Sequence, residues 1–262
     1  MGEYGKINII VRKINPVYSI VSNDIVYRLR LQVRRCIGMS KMMYAVLSCM
    51  GVLVLIICDI QCIKRRTELG RRVAELLSIG ALSVAGYTII FLSSDYKWMS
   101  AGNCIFFAGM DWLCYAMFLY TIEYTKYKGK ALFDLKPWMK LVTVIILTID
   151  SVSMLCNIVL EHAMKFQVIY YRKERYLRFI PQPLFYLNLI LCYIPFAVSF
   201  CIFLYKVYTA PHIYKRKFGF VILTLAGVMA ANAMFLIMKP PVDISIYTYA
   251  AAAVLLDYFT FY

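Results

Sequence analysis

Long apolar stretches alternate with short polar ones from residue 42 to the end of the chain. The apolar stretches are seven: 42–62, 73–92, 99–122, 138–160, 183–205, 218–238 and 244–262. Each is close to or above the ~20 residues that a helix needs to cross the hydrocarbon core of a bilayer. They are apolar all round, without the polar stripe of a helix on a soluble core. Unpaired backbone groups cost several kcal/mol each in lipid, so stretches of this kind must be helical. The pattern predicts an all-α membrane protein, a seven-transmembrane-helix bundle over residues 39–262. Residues 1–38 precede it as a basic N-terminal tail.

One connection breaks the rule that loops are short and featureless. Between the fourth and fifth stretches, the runs 166–171 and 175–180 are rich in Val, Ile, Tyr and Phe and flank the polar residues 172–174. Two β-prone arms around a polar turn predict a β-hairpin between helices 4 and 5. The alternative is an interfacial loop whose Tyr and Arg side chains lie among lipid headgroups.

Composition agrees with the membrane setting: 62% of residues are hydrophobic and 16% charged. The net charge of +15 invites a nucleic-acid reading. The Lys and Arg residues, however, lie between the stretches, with Lys140 at the margin of one, where anionic headgroups account for them. No nucleic-acid partner is expected. Nine cysteines and two histidines include no CxxC pair, so neither a disulfide framework nor a metal site is expected.

Charge also sets orientation. The first, third and fifth loops hold fourteen Lys and Arg, among them Lys64, Arg65, Arg66, Lys128 and Lys215; the second, fourth and sixth hold seven. The positive-inside rule then puts the N-terminus outside, the C-terminus inside and the hairpin on the extracellular face. Residues 1–41 oppose this with eight Lys and Arg of their own. One resolution starts the domain at Met39, with the preceding residues a mis-assigned extension. The other keeps a real, partly amphipathic tail that the loop signals override.

Small residues invite close helix contact. They occur as Ala81/Ala85 in the second stretch, as Ala226/Ala230 and Gly227/Ala231 in the sixth, and as the run 250–253 in the seventh. Pro195, mid-way along the fifth, predicts a kink.

Polar residues at membrane depth carry the candidate chemistry. Asp111 and Asp150 each lie within one residue of the middle of their stretch. An ionised Asp there costs ~2.5–3.5 kcal/mol on insertion scales. No Lys or Arg sits at comparable depth. The acids are then protonated and bonded to a neighbouring helix, or face a hydrated cavity, or are neutralised by a ligand or ion. Asn103, Asn157, Asn188 and Asn232 lie on the outward side of their midplanes, and His162 follows the fourth stretch. Asp111, Asp150, Asn157, His162, Asn188 and Asn232 are therefore the candidate ligand-binding residues of an outward pocket. Each Asn has the alternative of tying helices together. Asp257 lies on the inner half of the seventh stretch, and Glu123 and Lys126 are expected to meet at the inner interface. No phosphate-binding loop, metalloprotease motif or nucleophile elbow occurs. No catalysis and no cofactor are expected.

The segments "DWLCYAMFLYTIEYTKY" from Asp111, "DSVSMLCNIVLEHAMKF" from Asp150, "RYLRFIPQPLFYLNLILCYIPF" from Arg175 and "PHIYKRKFGFVILTLAGVMAANAMF" from Pro211 carry a resemblance. They resemble the N-terminal seven-helix sensor region of bacterial membrane histidine kinases and GGDEF-type diguanylate cyclases. The resemblance covers roughly residues 39–262; the Asn-to-His step after the fourth stretch and the P-x-x-Y-[KR]-x-K loop weigh most.

That resemblance implies a sensory input module in a bacterial plasma membrane. It would belong to two-component or cyclic di-GMP signalling and pass a signal through the seventh helix to a cytoplasmic output domain in cis. The chain stops at "LLDYFTFY", before any such domain, so the expectation is a fragment or an isolated receptor. The partners implied are the bilayer, an extracellular or membrane ligand and the output domain; a homodimer is compatible. A retinal protein is excluded by the lack of a Lys in the seventh stretch. The main alternative is a transporter or permease that uses Asp111 and Asp150, against which no internal repeat is visible.

Overall fold

The computed structural model describes residues 40–126, 135–171, 174–238, 242–243 and 245–261. The basic segment 1–38 and the turn residues 172 and 173 lie outside them. Among the described residues, seven helices follow in the order of the apolar stretches: α1 Lys41–Lys64, α2 Glu68–Leu92, α3 Tyr96–Tyr124, α4 Pro137–Leu160, α5 Pro183–Thr209, α6 His212–Met238 and α7 Ser245–Phe261. Between α4 and α5 stand two antiparallel strands, β1 Met164–Tyr171 and β2 Glu174–Pro181.

Six of these helices are long and apolar enough to cross a membrane. The seventh, α7, has 17 described residues. Several helices outrun their apolar stretch because capping, not hydropathy, fixes their ends. Thr67 accepts from the Gly70 N–H at 3.0 Å to start α2. Asp95 accepts from the Lys97 N–H at 3.2 Å to start α3. Pro137 and Pro183 open α4 and α5, where the missing N–H has no intrahelical partner to lose. The helix α5 continues through Pro195, with the Ser199 hydroxyl donating to the Pro195 carbonyl at 2.8 Å.

The central element is α3, buried along most of its length and packed against α2, α4 and α5. The remaining neighbours, α1–α2, α5–α6, α6–α7 and α7 with both α1 and α2, close the bundle. The outer faces of α1 and α4 are apolar and exposed, as at Met50, Leu53, Leu141 and Ile145, which is what a lipid-facing surface requires.

The tightest helix contact is between α2 and α3, and it is made by glycines. A Cβ on Gly102 would stand 2.6 Å from the Gly86 carbonyl oxygen, and one on Gly109 would stand 2.2 Å from the Ser83 hydroxyl. The small-residue steps predicted on α6 take no part in this contact, whereas Ala81 of α2 and Ala252 and Ala253 of α7 are buried. On α6, Ala226, Gly227 and Ala230 are exposed, and a Cβ on Gly227 would meet nothing within 4 Å. The α6 packing stripe is instead Val221, Leu225 and Val228, at helical spacing.

The hairpin is longer than its sequence signal: it starts at Met164 and takes in Glu174 and Pro181. Phe166 faces Phe179 and Val168 faces Leu177 across the ladder. Phe107, Phe179 and Phe185 form a triangle of rings 5.1–5.4 Å apart that seats the hairpin base on α3 and α5. At the tip, Glu174 accepts from the backbone N–H of Lys41 at 2.8 Å. The hairpin therefore spans the end of the bundle, from α4 and α5 to the start of α1.

Candidate functional site

Asn188 and Cys192 are four residues apart and share one face of α5, turned toward α3 and α4. The two protons of the Asn188 amide are divided between two acids. One bond goes to Asp111 Oδ2 on α3 at 2.9 Å, the other to Asp150 Oδ2 on α4 at 2.8 Å. The Cys192 thiol donates to the other Asp111 oxygen, Oδ1, at 2.9 Å. All four side chains are buried. Beside them, Trp112 Nε1 donates to the Ser151 hydroxyl at 2.8 Å and ties α3 to α4 again. Among the described residues neither Asp111 nor Asp150 has an ion-pair partner, and the Asn188 carbonyl oxygen is buried without a hydrogen bond.

Three of the six predicted site residues thus meet, and the other three lie elsewhere. Asn157, in the last turn of α4, accepts from the N–H groups of Ala163 and Met164 at 2.7 and 2.9 Å. It also donates to the Met164 carbonyl at 2.9 Å. It braces the entry to the hairpin, where Glu161 takes a left-handed backbone with φ of 47°. His162 Nε2 is 2.8 Å from the Ser153 hydroxyl, also at the hairpin base. Asn232 donates to the Tyr193 hydroxyl and joins α6 to α5.

Two neighbouring hollows lie between the acid cluster and the hairpin. The larger, of about 360 Å³, is roofed by Ile169, Tyr176 and Phe179 of the hairpin. Tyr87 of α2, Phe107 of α3 and Phe185 of α5 form its walls. The smaller, of about 60 Å³, shares Phe107, Phe179 and Phe185 with it and runs down to Asn188, Cys192 and Asn232. Asn188 and Cys192 are thus the side chains through which the acid pair reaches the cavity.

Asp243, just before α7, borders both hollows. Its Oδ1 accepts from the Ser245 N–H and hydroxyl, and its own N–H donates to the Tyr87 hydroxyl at 2.9 Å. Burial pushes the Asp243 carboxyl up from its ordinary value to about 6, against the opposing pull of the Ser245 bonds. Neither Cys192 nor Asp243 was among the predicted site residues. The i, i+4 spacing of Asn188 and Cys192 is the signal that would have found the first, and the Asp-x-Ser pattern ahead of an apolar stretch the second.

At the opposite end of the bundle, α7 is held by α1 and α3. The Cys62 thiol donates to Asp257 Oδ1 at 3.0 Å, and the Tyr120 and Thr260 hydroxyls are 2.7 Å apart. Glu123 and Lys126 pair as expected from the sequence. This one helix therefore begins at the cavity wall and ends among fixed contacts at the far side.

Among curated proteins none matches the chain. A family model described as the N-terminal 7TM region of histidine kinase matches residues 43–262. The six long apolar helices fit a multi-pass protein of the plasma membrane. The chain belongs to the family of N-terminal 7TM regions of histidine kinases.

Proposed function

We propose that this chain is the sensory input module of a membrane signalling protein, with seven spanning helices, the hairpin outside and the end of α7 in the cytoplasm. The ligand is read in the cavity beneath the hairpin. Asp111, Asp150 and Asn188 form the polar floor beneath it, and Asn232 lies on its deeper wall. Asn157 and His162 set the hairpin base. The loop bias of Lys and Arg supports the orientation. The 17 described residues of α7 rise about 25 Å, enough to cross most of the hydrocarbon core.

The observation that carries this reading is the position of Asp243. It is at once a wall of the cavity and the cap of α7. A ligand that binds one arrangement of this wall better than another shifts its population and moves α7. A tenfold shift needs ~1.4 kcal/mol of differential affinity. The family match favours a histidine kinase in cis as the output over a diguanylate cyclase. A transporter draws no support, since Asp111 and Asp150 are closed in by Asn188 and Cys192.

The test fuses the chain to a reporter kinase domain and replaces Asp111 and Asp150 with Asn, singly and together. Altered basal output or ligand response, with normal insertion, is expected. Unchanged signalling in the double variant would remove the acids from the sensory site.

A further inference from the structure

The larger cavity has a chemistry that none of the predicted site residues supplies. At about 360 Å³ it is in the range of small-molecule sites, whereas packed interiors seldom leave voids much larger than a water. Two buried polar groups face into it. Asn103 is 5% exposed, and among the described residues its amide has no hydrogen-bond partner. Its amide opens onto the cavity, where it is placed to hydrogen-bond a bound molecule. Asp243 is 7% exposed and, among the described residues, has no ion-pair partner. The rest of the wall is mainly aromatic, with Tyr87, Phe106, Phe107 and Phe185 around these two groups. Ring faces attract cations, and more so where water is excluded.

We propose that this cavity binds a small organic ammonium ion with an aromatic or alkyl body, its charge set against Asp243, its hydrogen bonds shared with Asn103 and its body held among the rings. The proposal deepens, and rests on, the reading of the cavity as the place where the signal is received. A neutral apolar ligand leaves the Asp243 carboxylate buried without a counter-charge among the described residues; an anion meets repulsion from it. The cation on the wall, Arg178, is an exposed residue of β2 and does not neutralise Asp243.

Among the described residues, the titratable groups that act on Asp243 or are acted on by it are Tyr87 of α2, Tyr193 of α5, and Tyr247 and Tyr249 of α7. These phenols are uncharged near neutrality. Asp243 is thus the group whose charge changes across mildly acidic pH, and with its carboxyl at about 6 it is mostly ionised at pH 7.

The experiment uses the full chain in lipid nanodiscs. Three probes of similar size are titrated by calorimetry and saturation-transfer NMR: 2-phenylethylamine, 2-phenylethanol and phenylacetate. The amine is expected to bind about tenfold more tightly than the alcohol, and phenylacetate most weakly. Asp243→Asn should bring the amine down to the alcohol and leave the alcohol unchanged. A readout on the native chain covers the case in which that variant fails to fold. Between about pH 7.5 and pH 5 the amine stays protonated while Asp243 takes up its proton. Amine affinity should then fall several-fold while that of the alcohol holds. Equal binding of amine and alcohol, a preference that survives Asp243→Asn, or a preference indifferent to pH would each overturn the proposal. The sensory reading fails separately: an amine that binds as stated but leaves the reporter fusion silent overturns the signalling role and not this site.

Discussion

Glu174, the first residue of β2, accepts a hydrogen bond from the backbone N–H of Lys41, the first residue of α1, across 133 positions of sequence. The carboxylate sits at a helix N-terminus, where free N–H groups and the helix dipole favour negative charge. The same Oε2 accepts from the Tyr176 hydroxyl at 2.8 Å. This contact fastens the tip of the hairpin over the cavity.

Replacing Glu174 with Ala should free the tip without unfolding the bundle. The loss is expected to be about 1–2 kcal/mol, because one acceptor is charged and its partner is a helix-end N–H. Hydrogen exchange read by mass spectrometry should show faster exchange across 164–181 and no change in α3. Unchanged hairpin protection would show that the base alone holds it.

Asn157→Ala should be among the most damaging single changes at this end of the protein. It leaves two N–H groups and one carbonyl of the hairpin base without their partner. An expected cost on the order of 3 kcal/mol follows from stranding several buried groups at once. Asn157→Asp keeps the acceptor and loses only the donor, so its melting temperature in detergent should lie between those of Asn157→Ala and the parent.

Asn188→Leu removes the donor that two carboxylates share. Each buried acid left without its donor costs about 1–3 kcal/mol, so poor insertion or a large drop in melting temperature is expected. If the triple change Asp111→Asn, Asp150→Asn, Asn188→Leu is no more stable than Asn188→Leu alone, the acids are not the source of the damage.

The glycines separate a close helix approach from an empty surface. Gly102→Ala places a methyl against the Gly86 carbonyl and should cost about 1–3 kcal/mol, as overpacking does. Gly219→Ala, on α6, meets nothing within 4 Å and should be neutral or stabilising by up to ~1 kcal/mol through helix propensity. Denaturation of the two variants side by side in one detergent checks both.

Asp243 makes stability depend on pH with a definite sign. Its carboxyl is raised to about 6 in the folded chain, against an ordinary value near 3.9 when unfolded. The folded state therefore binds its proton more tightly. The group's contribution is fully present below about pH 4 and is lost as pH rises through about 6, an effect on the order of 3 kcal/mol. Comparing melting of the parent and Asp243→Asn across this window should show a steeper loss of stability with rising pH in the parent. Identical curves would mean that Asp243 is not buried as an acid.

That the chain lives in lipid, where its helices lie and which connection forms strands are all legible from the residues alone. Those properties follow from averages over many residues: a bilayer of fixed thickness demands a fixed apolar length, and backbone groups in lipid demand a helix. The run Phe166–Val168–Tyr170 opposite Arg175–Leu177–Phe179 was legible for the same reason, since β-prone arms around a polar turn need no distant partner. Depth was legible too, so Asp111 and Asp150 stood out before any fold was known.

Which polar residues meet depends on how the helices pack. Asn188 bridges the two acids while Asn157, at similar outward depth, braces a hairpin, because depth along a helix says nothing of the direction in which a side chain points. That direction follows from how the helices are rotated and crossed. Their approach is set by single contacts such as Gly86 against Gly102, not by the regular small-residue steps on α6. Asp243 joined the cavity for the same reason. Its capping role is local and readable, but its place against Tyr87 depends on α7 packing beside α2, a contact between residues 156 positions apart.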